Sequence, residues 1–406
     1  MALLAGLLPA LLPAVAGGQP AAHLAFRLPL DPPSLFSFAP QQLASPVVAA
    51  DARFVVAGTA GGKLFLVTAD SGEILNTWDL GGGISASPLL LPADRMVVAT
   101  EEGTVHLLSV CDGRSYWSQP PRIKGAIRSV PVLLGDGVVL VHDDRSVLTA
   151  IDLASGKLLA SYDAHSFTER GAAPFTRFGY PSPATDGGSV FAGFEDGHVV
   201  RLSLSAGGAS AGDAGDSAVK AFKPSWDVSL CGLDALRKLP ADATVCPSNR
   251  VYSDVDSSPI VTAHGVLAGC YCRGLAMLSA DDGTVRWERP LIGPATGLVT
   301  RDAAFVAGSD GRVTSVNLAN GRTLWSTGVT ISMLSAPALL GSADDLPAAS
   351  LVVASGGDLY FLDATRGTIL ASLRTRGGFS ASGAASGNAL FILSNEGALY
   401  RIDFFR

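Results

Sequence analysis

One unit recurs along this chain at intervals of about 40 residues, and that periodicity restricts the fold more than any composition value does. Each copy opens on Ser-x-Pro or Ser-Pro, runs through an apolar stretch and a Gly-x-Leu or Gly-x-Val alternation, and turns at a glycine into a last short segment. The first copy reads Ala44-Ser45-Pro46-Val47-Val48, then Phe54 to Gly58, Gly62 to Leu66, Asp70-Ser71-Gly72, and Ile74 to Trp78. β-Branched and aromatic runs bounded by turn residues predict four short strands per copy. A sheet of that size cannot bury both faces alone, so the copies have to stack on one another.

The turn is the most regular mark. Gly72, Gly113, Gly156, Gly207, Gly283, Gly321 and Gly367 each stand four residues after a small polar residue: Thr68, Ser109, Asp152, Ser203, Ser279, Asn317 and Asp363. Such side chains hydrogen-bond nearby backbone and glycine supplies a positive φ, so the pairing predicts a hairpin between third and fourth strands. Trp117, Trp287 and Trp325 follow their glycines by four and read as packing anchors between neighbouring sheets.

A final Gly397 to Asp403 makes an eighth copy, but the sequence reaches Arg406 before that copy's fourth strand. His23 to Leu30, HLAFRLPL, supplies a strand-like segment ahead of the first copy and completes the last sheet. The expected fold is therefore all-β, an eight-bladed β-propeller whose last blade is closed by an N-terminal strand, which leaves no open sheet edge in the ring. It occupies residues 23–406 as one domain, with insertions at about 206–223 and 229–249. Within the first insertion a low-complexity stretch precedes Trp226-Asp227-Val228, read as a delayed fourth strand; the second contains LDALRK, read as a helical turn.

The 46 glycines and 24 prolines follow from many tight turns. A formal net charge of −7 with no basic run gives no footprint for nucleic acid. Residues 1–17, MALLAGLLPALLPAVAG, are apolar and end near a small-residue cleavage pattern, which predicts a signal or targeting segment and export.

Nucleophile elbows, HExxH, phosphate-cradling glycine loops and CxxC pairs do not occur, and the six histidines lack ligand spacing, so neither an enzyme nor a metal site is expected. Cys231 and Cys246 bracket about 15 residues, a loop whose closure by a disulfide would contribute about 3 kcal/mol in an oxidising compartment. Cys270 and Cys272 share one strand face and read as buried free thiols.

One stretch breaks the pattern: VYSDVDSSP, residues 251–259. Counted back from the strand-opening proline, Asp256 and Asp254 fill slots held by Leu43 and Gln41, Ser85 and Gly83, Arg128 and Ala126, or Leu334 and Ser332. No other copy has an acid there. Two carboxylates about 7 Å apart on one strand face repel by about 0.6 kcal/mol in water and about 2.4 kcal/mol at an effective dielectric near 20. The pair is therefore expected to be exposed or to face a cation, and Arg250 or a neighbouring blade could provide one.

The Ser-x-Pro strand, the Gly-x-Leu-x-x-Leu-Asp-x-x-x-Gly hairpin and the trailing tryptophan resemble the pyrroloquinoline-quinone-like propeller repeat over nearly the whole chain. More narrowly, Arg250 to Pro259, the eight copies and the N-terminal closing strand resemble the BamB family of the bacterial outer-membrane β-barrel assembly machinery. The resemblance implies a non-enzymatic periplasmic scaffold at the inner face of the outer membrane. It would bind the periplasmic domains of the barrel-assembling channel protein, and unfolded outer-membrane proteins as well, as a monomer within a complex. In that family the acidic pair belongs to the partner-contacting surface, which places Asp254, Asp256 and Arg250 there. A second contact comes from the preceding blade's lead-in, matched by Phe175-Thr176-Arg177-Phe178-Gly179; the basic residue expected at position 178 stands instead at Arg177, leaving Phe175, Arg177 and Phe178 as candidates. No cofactor is expected, because the adjacent-cysteine disulfide of quinoprotein dehydrogenases is absent. The family's lipobox cysteine is also missing, since the first cysteine is Cys111. Two alternatives stand beside this reading: a quinone- or ligand-binding propeller of oxidoreductase type, and a general exported interaction propeller.

Overall fold

The glycine turns decide how the strands meet. A computed structural model describes residues 20–31, 42–164, 180–206, 220–231, 254–375 and 377–406. Six of the seven expected turns fall within these. In each, the N–H of Gly72, Gly113, Gly156, Gly283, Gly321 or Gly367 donates to the carbonyl four residues earlier, at 2.8–3.1 Å. All six glycines sit at φ between 66° and 74°, where a Cβ would be strained. Gly207 lies outside the described residues.

The strands so joined form eight antiparallel sheets, seven of four strands and one of three. In the first blade Val47–Val48, Phe54–Gly58, Lys63–Thr68 and Ile74–Asp79 lie side by side in sequence order. The two middle strands are buried nearly throughout, because both their faces meet neighbouring blades, while Ile74–Asp79 on the perimeter alternates between exposed and half-buried. That is why the middle strands read as unbroken apolar runs and the outer ones do not. A one-residue bulge recurs between third and fourth strands, as at Leu66/Val67, Ser315/Val316 and Phe361/Leu362, and adds local twist.

The ring closes as expected. Ala21–Pro29 pairs antiparallel with Ala398–Phe405, from Ala21 opposite Phe405 to Pro29 opposite Ala398, and completes a sheet with Ala384–Ser386 and Ala389–Leu393. The N–H groups of Leu30 and Asp31 then both donate to the Gly397 carbonyl, at 2.9 and 3.0 Å. Among the described residues the apolar core is divided into eight clusters, one at each seam between adjacent blades.

Tryptophan links the seams. Four of the chain's five tryptophans lie in outer strands and Trp117 lies in the second blade's lead-out, and all five send the indole N–H to a backbone carbonyl in the next blade's glycine turn. Trp117 donates to Leu153 at 3.0 Å, Trp226 to Ala280 at 2.9 Å, Trp287 to Leu318 at 2.9 Å, Trp325 to Ala364 at 3.1 Å and Trp78 to Asp112 at 3.4 Å. Each ring lies on the turn glycine: a Cβ added at Gly321 would stand 2.5 Å from Trp287. Phe26 of the closing strand takes this place against Gly72.

Two blades depart from the repeat. The second has Leu89–Leu91, Arg95–Ala99 and Val105–Ser109 without a regular fourth strand. In the fourth, the outer strand resumes at Lys220 and not at Trp226 as expected: Lys220–Ser229 pairs with His198–Ala206 as far as Ala206 opposite Lys220, so the hairpin is longer and the insertion shorter. Its first residues alternate half-buried and exposed, a one-sided strand pattern that polar side chains hide in the sequence. Residues 1–17 and the LDALRK stretch lie outside the described residues.

Candidate partner-binding site at the lead-in to the fifth blade

Val255 positions the acidic pair. Its side chain is 1% exposed and is wedged against Gly193, where a Cβ would stand 2.5 Å from its Cγ1. Its N–H donates to the Phe194 carbonyl at 3.2 Å, and it bridges Cys270 of the strand Gly265–Cys270. The segment is thus pulled into the seam between blades four and five. The N–H of Asp256 donates to the Gly269 carbonyl at 3.2 Å, as does the Ser257 hydroxyl at 3.4 Å.

This placement corrects the expectation of an exposed doublet. Asp254 is only 5% exposed, and both carboxylate oxygens of Asp256 are sealed from solvent without a hydrogen bond of normal geometry. No cation of the described residues meets the Asp256 carboxyl. Burial, and then the charge and hydrogen bond of Asp254 beside it, push the Asp256 carboxyl up to about 9, although the Tyr271 backbone acts in the opposite sense. The pair therefore holds a proton at neutral pH, which removes the like-charge repulsion that led the sequence reading to expect exposure or a cation.

Asp254 and Val255 share a cleft with Ser129, His142, Asp143, Tyr180 and Glu195 of blades three and four. Tyr180 and Arg128 occupy, in those blades, the same repeat slot as Asp256. Arg128 donates from Nε to Glu101 Oε1 at 2.9 Å and from Nη1 to the Tyr180 hydroxyl at 2.5 Å, with its guanidinium carbon 5.0 Å from the Tyr180 ring centroid. Glu101 also accepts from the Ser85 hydroxyl at 2.6 Å. Burial would raise the Glu101 carboxyl, but the bonds from Arg128 and Ser85 outweigh it and hold the group below its ordinary value. The lead-in segments of blades two, three and four are thus joined by one polar chain. Sequence reading passed over it; the signal was Arg128 itself, a basic side chain in a slot held mostly by uncharged ones.

The cysteines also differ from expectation. Cys231 is bonded to Cys270, with Cα atoms 5.9 Å apart, and not to Cys246. The N–H groups of Leu230 and Cys231 donate to the Gly197 carbonyl at 2.9 and 2.8 Å, and this turn carries Cys231 into the blade four–five seam, where Cys270 lies. Cys270 and Cys272 are not free thiols: Cys272 is disulfide-bonded too, its partner lying outside the described residues. Cys111 is free and exposed. Beside the Cys231–Cys270 bond, Arg273 donates to the Leu230 carbonyl at 2.6 Å and to Glu288 at 2.8 Å, adding a second tie across the seam.

Phe175, Arg177, Phe178, Arg250 and Cys246 lie outside the described residues. Among the described residues, no group of His, Cys, Asp and Glu is arranged to hold a metal ion.

Comparison with known proteins gives a consistent pattern. A family model described as outer membrane protein assembly factor BamB matches residues 34–159, 60–214 and 241–404. The outer membrane protein assembly factor BamB of Burkholderia pseudomallei is 26% identical over 361 residues, covering 88% of this chain and 83% of that protein. The Yersinia pestis protein of the same name is 22% identical over 326 residues, covering 79% and 71%. The crystal structure of BamB from Moraxella catarrhalis superposes with a TM-score of 0.71 at 18% identity, covering 95% of this chain and all of that one, and shares its fold.

Proposed function

The chain belongs to the family of the outer membrane protein assembly factor BamB, and on that premise we propose that it is a non-enzymatic periplasmic scaffold of outer-membrane β-barrel assembly. It binds the periplasmic domains of the barrel-assembling channel protein and aids insertion of outer-membrane proteins. The observation that carries this reading is the extent of the family match, which takes in both halves of the ring. Disulfides at Cys231, Cys270 and Cys272 support an oxidising compartment such as the periplasm. A ring of stacked blades with outward-facing connections also suits a role in which several short segments are held rigidly toward one partner.

The contact is assigned to Phe175, Arg177, Phe178 and Arg250, with the aspartates in a different role from the one their charge suggests. Asp254 and Asp256 are positioning residues: they belong to the buried lead-in of the fifth blade and act through the segment they hold. The test is capture by the purified periplasmic domains of the channel. Phe175→Ala with Arg177→Glu and Phe178→Ala is expected to weaken capture about tenfold or more, while Asp256→Asn, which mimics the protonated acid, leaves it within about twofold. Wild-type binding that the triple variant does not weaken would overturn the site assignment; absence of any wild-type binding would overturn the function.

A further inference from the structure

The second blade is the one sheet of the described residues with three strands. After Trp117 its chain passes through Pro120-Pro121, which have no N–H to give to a ladder. It forms no continuous ladder with the third strand, which it meets at isolated bridges, Ser115 to Leu108 and Arg122 to Thr104, with backbone bonds from Tyr116 to Leu107 at 2.9 Å and from Val105 to Pro121 at 3.0 Å. Elsewhere a full outer strand covers the face of the next blade. Here the cover is incomplete, and a groove of about 570 Å³ opens between Arg122–Lys124 and the outer two strands of the third blade, Val147–Asp152 and Leu158–Asp163.

Two kinds of side chain line it. Val147, Leu159 and Ala160, each half-buried, with Leu158 at 54% exposure, form an apolar floor. Around it stand Arg122, Lys124 and Arg145, all exposed, and Lys220 from the start of the fourth blade's outer strand. None of these four cations makes an ion pair within 4.0 Å among the described residues; Arg122 donates to the Glu102 backbone carbonyl at 3.3 Å, and Lys220 faces Asp152 at longer range. The groove's acids are Asp143 and Asp163. Asp143 is occupied by its own turn, Oδ1 accepting from the N–H groups of Arg145 and Val147 at 3.0 Å each. Counting Asp152, which faces Lys220, four cations stand against three acids, a local excess of one positive charge on a chain whose formal net charge is −7.

We propose that this groove binds an extended acidic segment of a partner polypeptide, its carboxylates matched to Arg122, Lys124, Arg145 and Lys220 and its apolar side chains laid on Val147 and Leu158. Two observations favour a polypeptide. The groove's lining sets apolar side chains beside four cations, which an extended chain of alternating acidic and apolar residues can match together. Leu158–Asp163 is an edge strand, whose outward backbone groups can pair with an added strand. The inference does not depend on the channel contact assigned to blades four and five.

The experiment uses the full chain and a fluorescein-labelled peptide of alternating Glu and Val, followed by anisotropy. Saturable binding at low salt is expected, weakening as salt screens the charges, with no binding of the matched Lys/Val peptide. Arg122→Glu with Lys124→Glu and Arg145→Glu, and separately Leu158→Asp, are each expected to weaken it about tenfold or more; all four positions are exposed, so both variants should fold. Equal binding by wild type and the charge-reversed variant would overturn the proposal. So would failure of the acidic peptide to bind while phosphatidylglycerol vesicles do, which would give the groove to an anionic membrane surface.

Discussion

A buried carboxyl with its proton retained makes Asp256 a source of pH dependence. Its unfolded value is near the ordinary 3.8 and its folded value about 9, so between those limits the native state binds one more proton than the unfolded chain. Stability from this group is therefore fully present below about pH 4 and declines as pH rises toward 9. Asp256→Asn, isosteric with the neutral acid, is expected to flatten that decline: in denaturant titrations it gains several kcal/mol at pH 8 and almost nothing at pH 4. Parallel pH profiles for variant and wild type would show that the group is ionised in the fold. The slot comparison made this residue visible in the sequence, but not its burial. What buries it is Val255 fitting against Gly193, a residue that is far away in sequence.

Among the elements, the Cys231–Cys270 bond matters most to this seam. It closes a 39-residue separation, for which loop-closure entropy gives about 4 kcal/mol, within the 2–5 kcal/mol typical of native disulfides. Cys231→Ser with Cys270→Ser should lower the unfolding free energy by that amount in guanidinium titrations; a loss below about 1 kcal/mol would mean the seam is held without it. The elements themselves were largely legible, because the glycine turns and middle strands are specified by residues close together in sequence. The bond was not. Cys231 and Cys246 are close in sequence, whereas Cys231 and Cys270 become neighbours only once the fourth blade's outer strand has been laid against the fifth. The early start at Lys220 was missed for a related reason: a perimeter strand has one wet face, and its polar residues look like loop.

At the scale of the whole molecule, the ring depends on Ala21–Pro29. Phe26 and Leu28 pack with Val55, Phe65 and Leu393 at the seam of the first and last blades, so the strand seals two sheets at once. Deleting residues 20–31 should leave Ala398–Phe405 with an open edge, lower the thermal midpoint and produce self-association by size-exclusion chromatography; a monomeric, equally stable truncation would contradict closure by this strand. Eight copies and the N-terminal closure could be read from the sequence because each copy repeats the same local instruction. The open second blade could not, since Pro120-Pro121 shows only that a strand is interrupted and not what the gap exposes. The closing register, with Ala21 beside Phe405, brings the two strand ends to the same corner of one sheet. A force pulling those ends apart would load one hydrogen-bonded pair at a time, peeling the strand like a zip and unlatching the disc before any other blade bears tension.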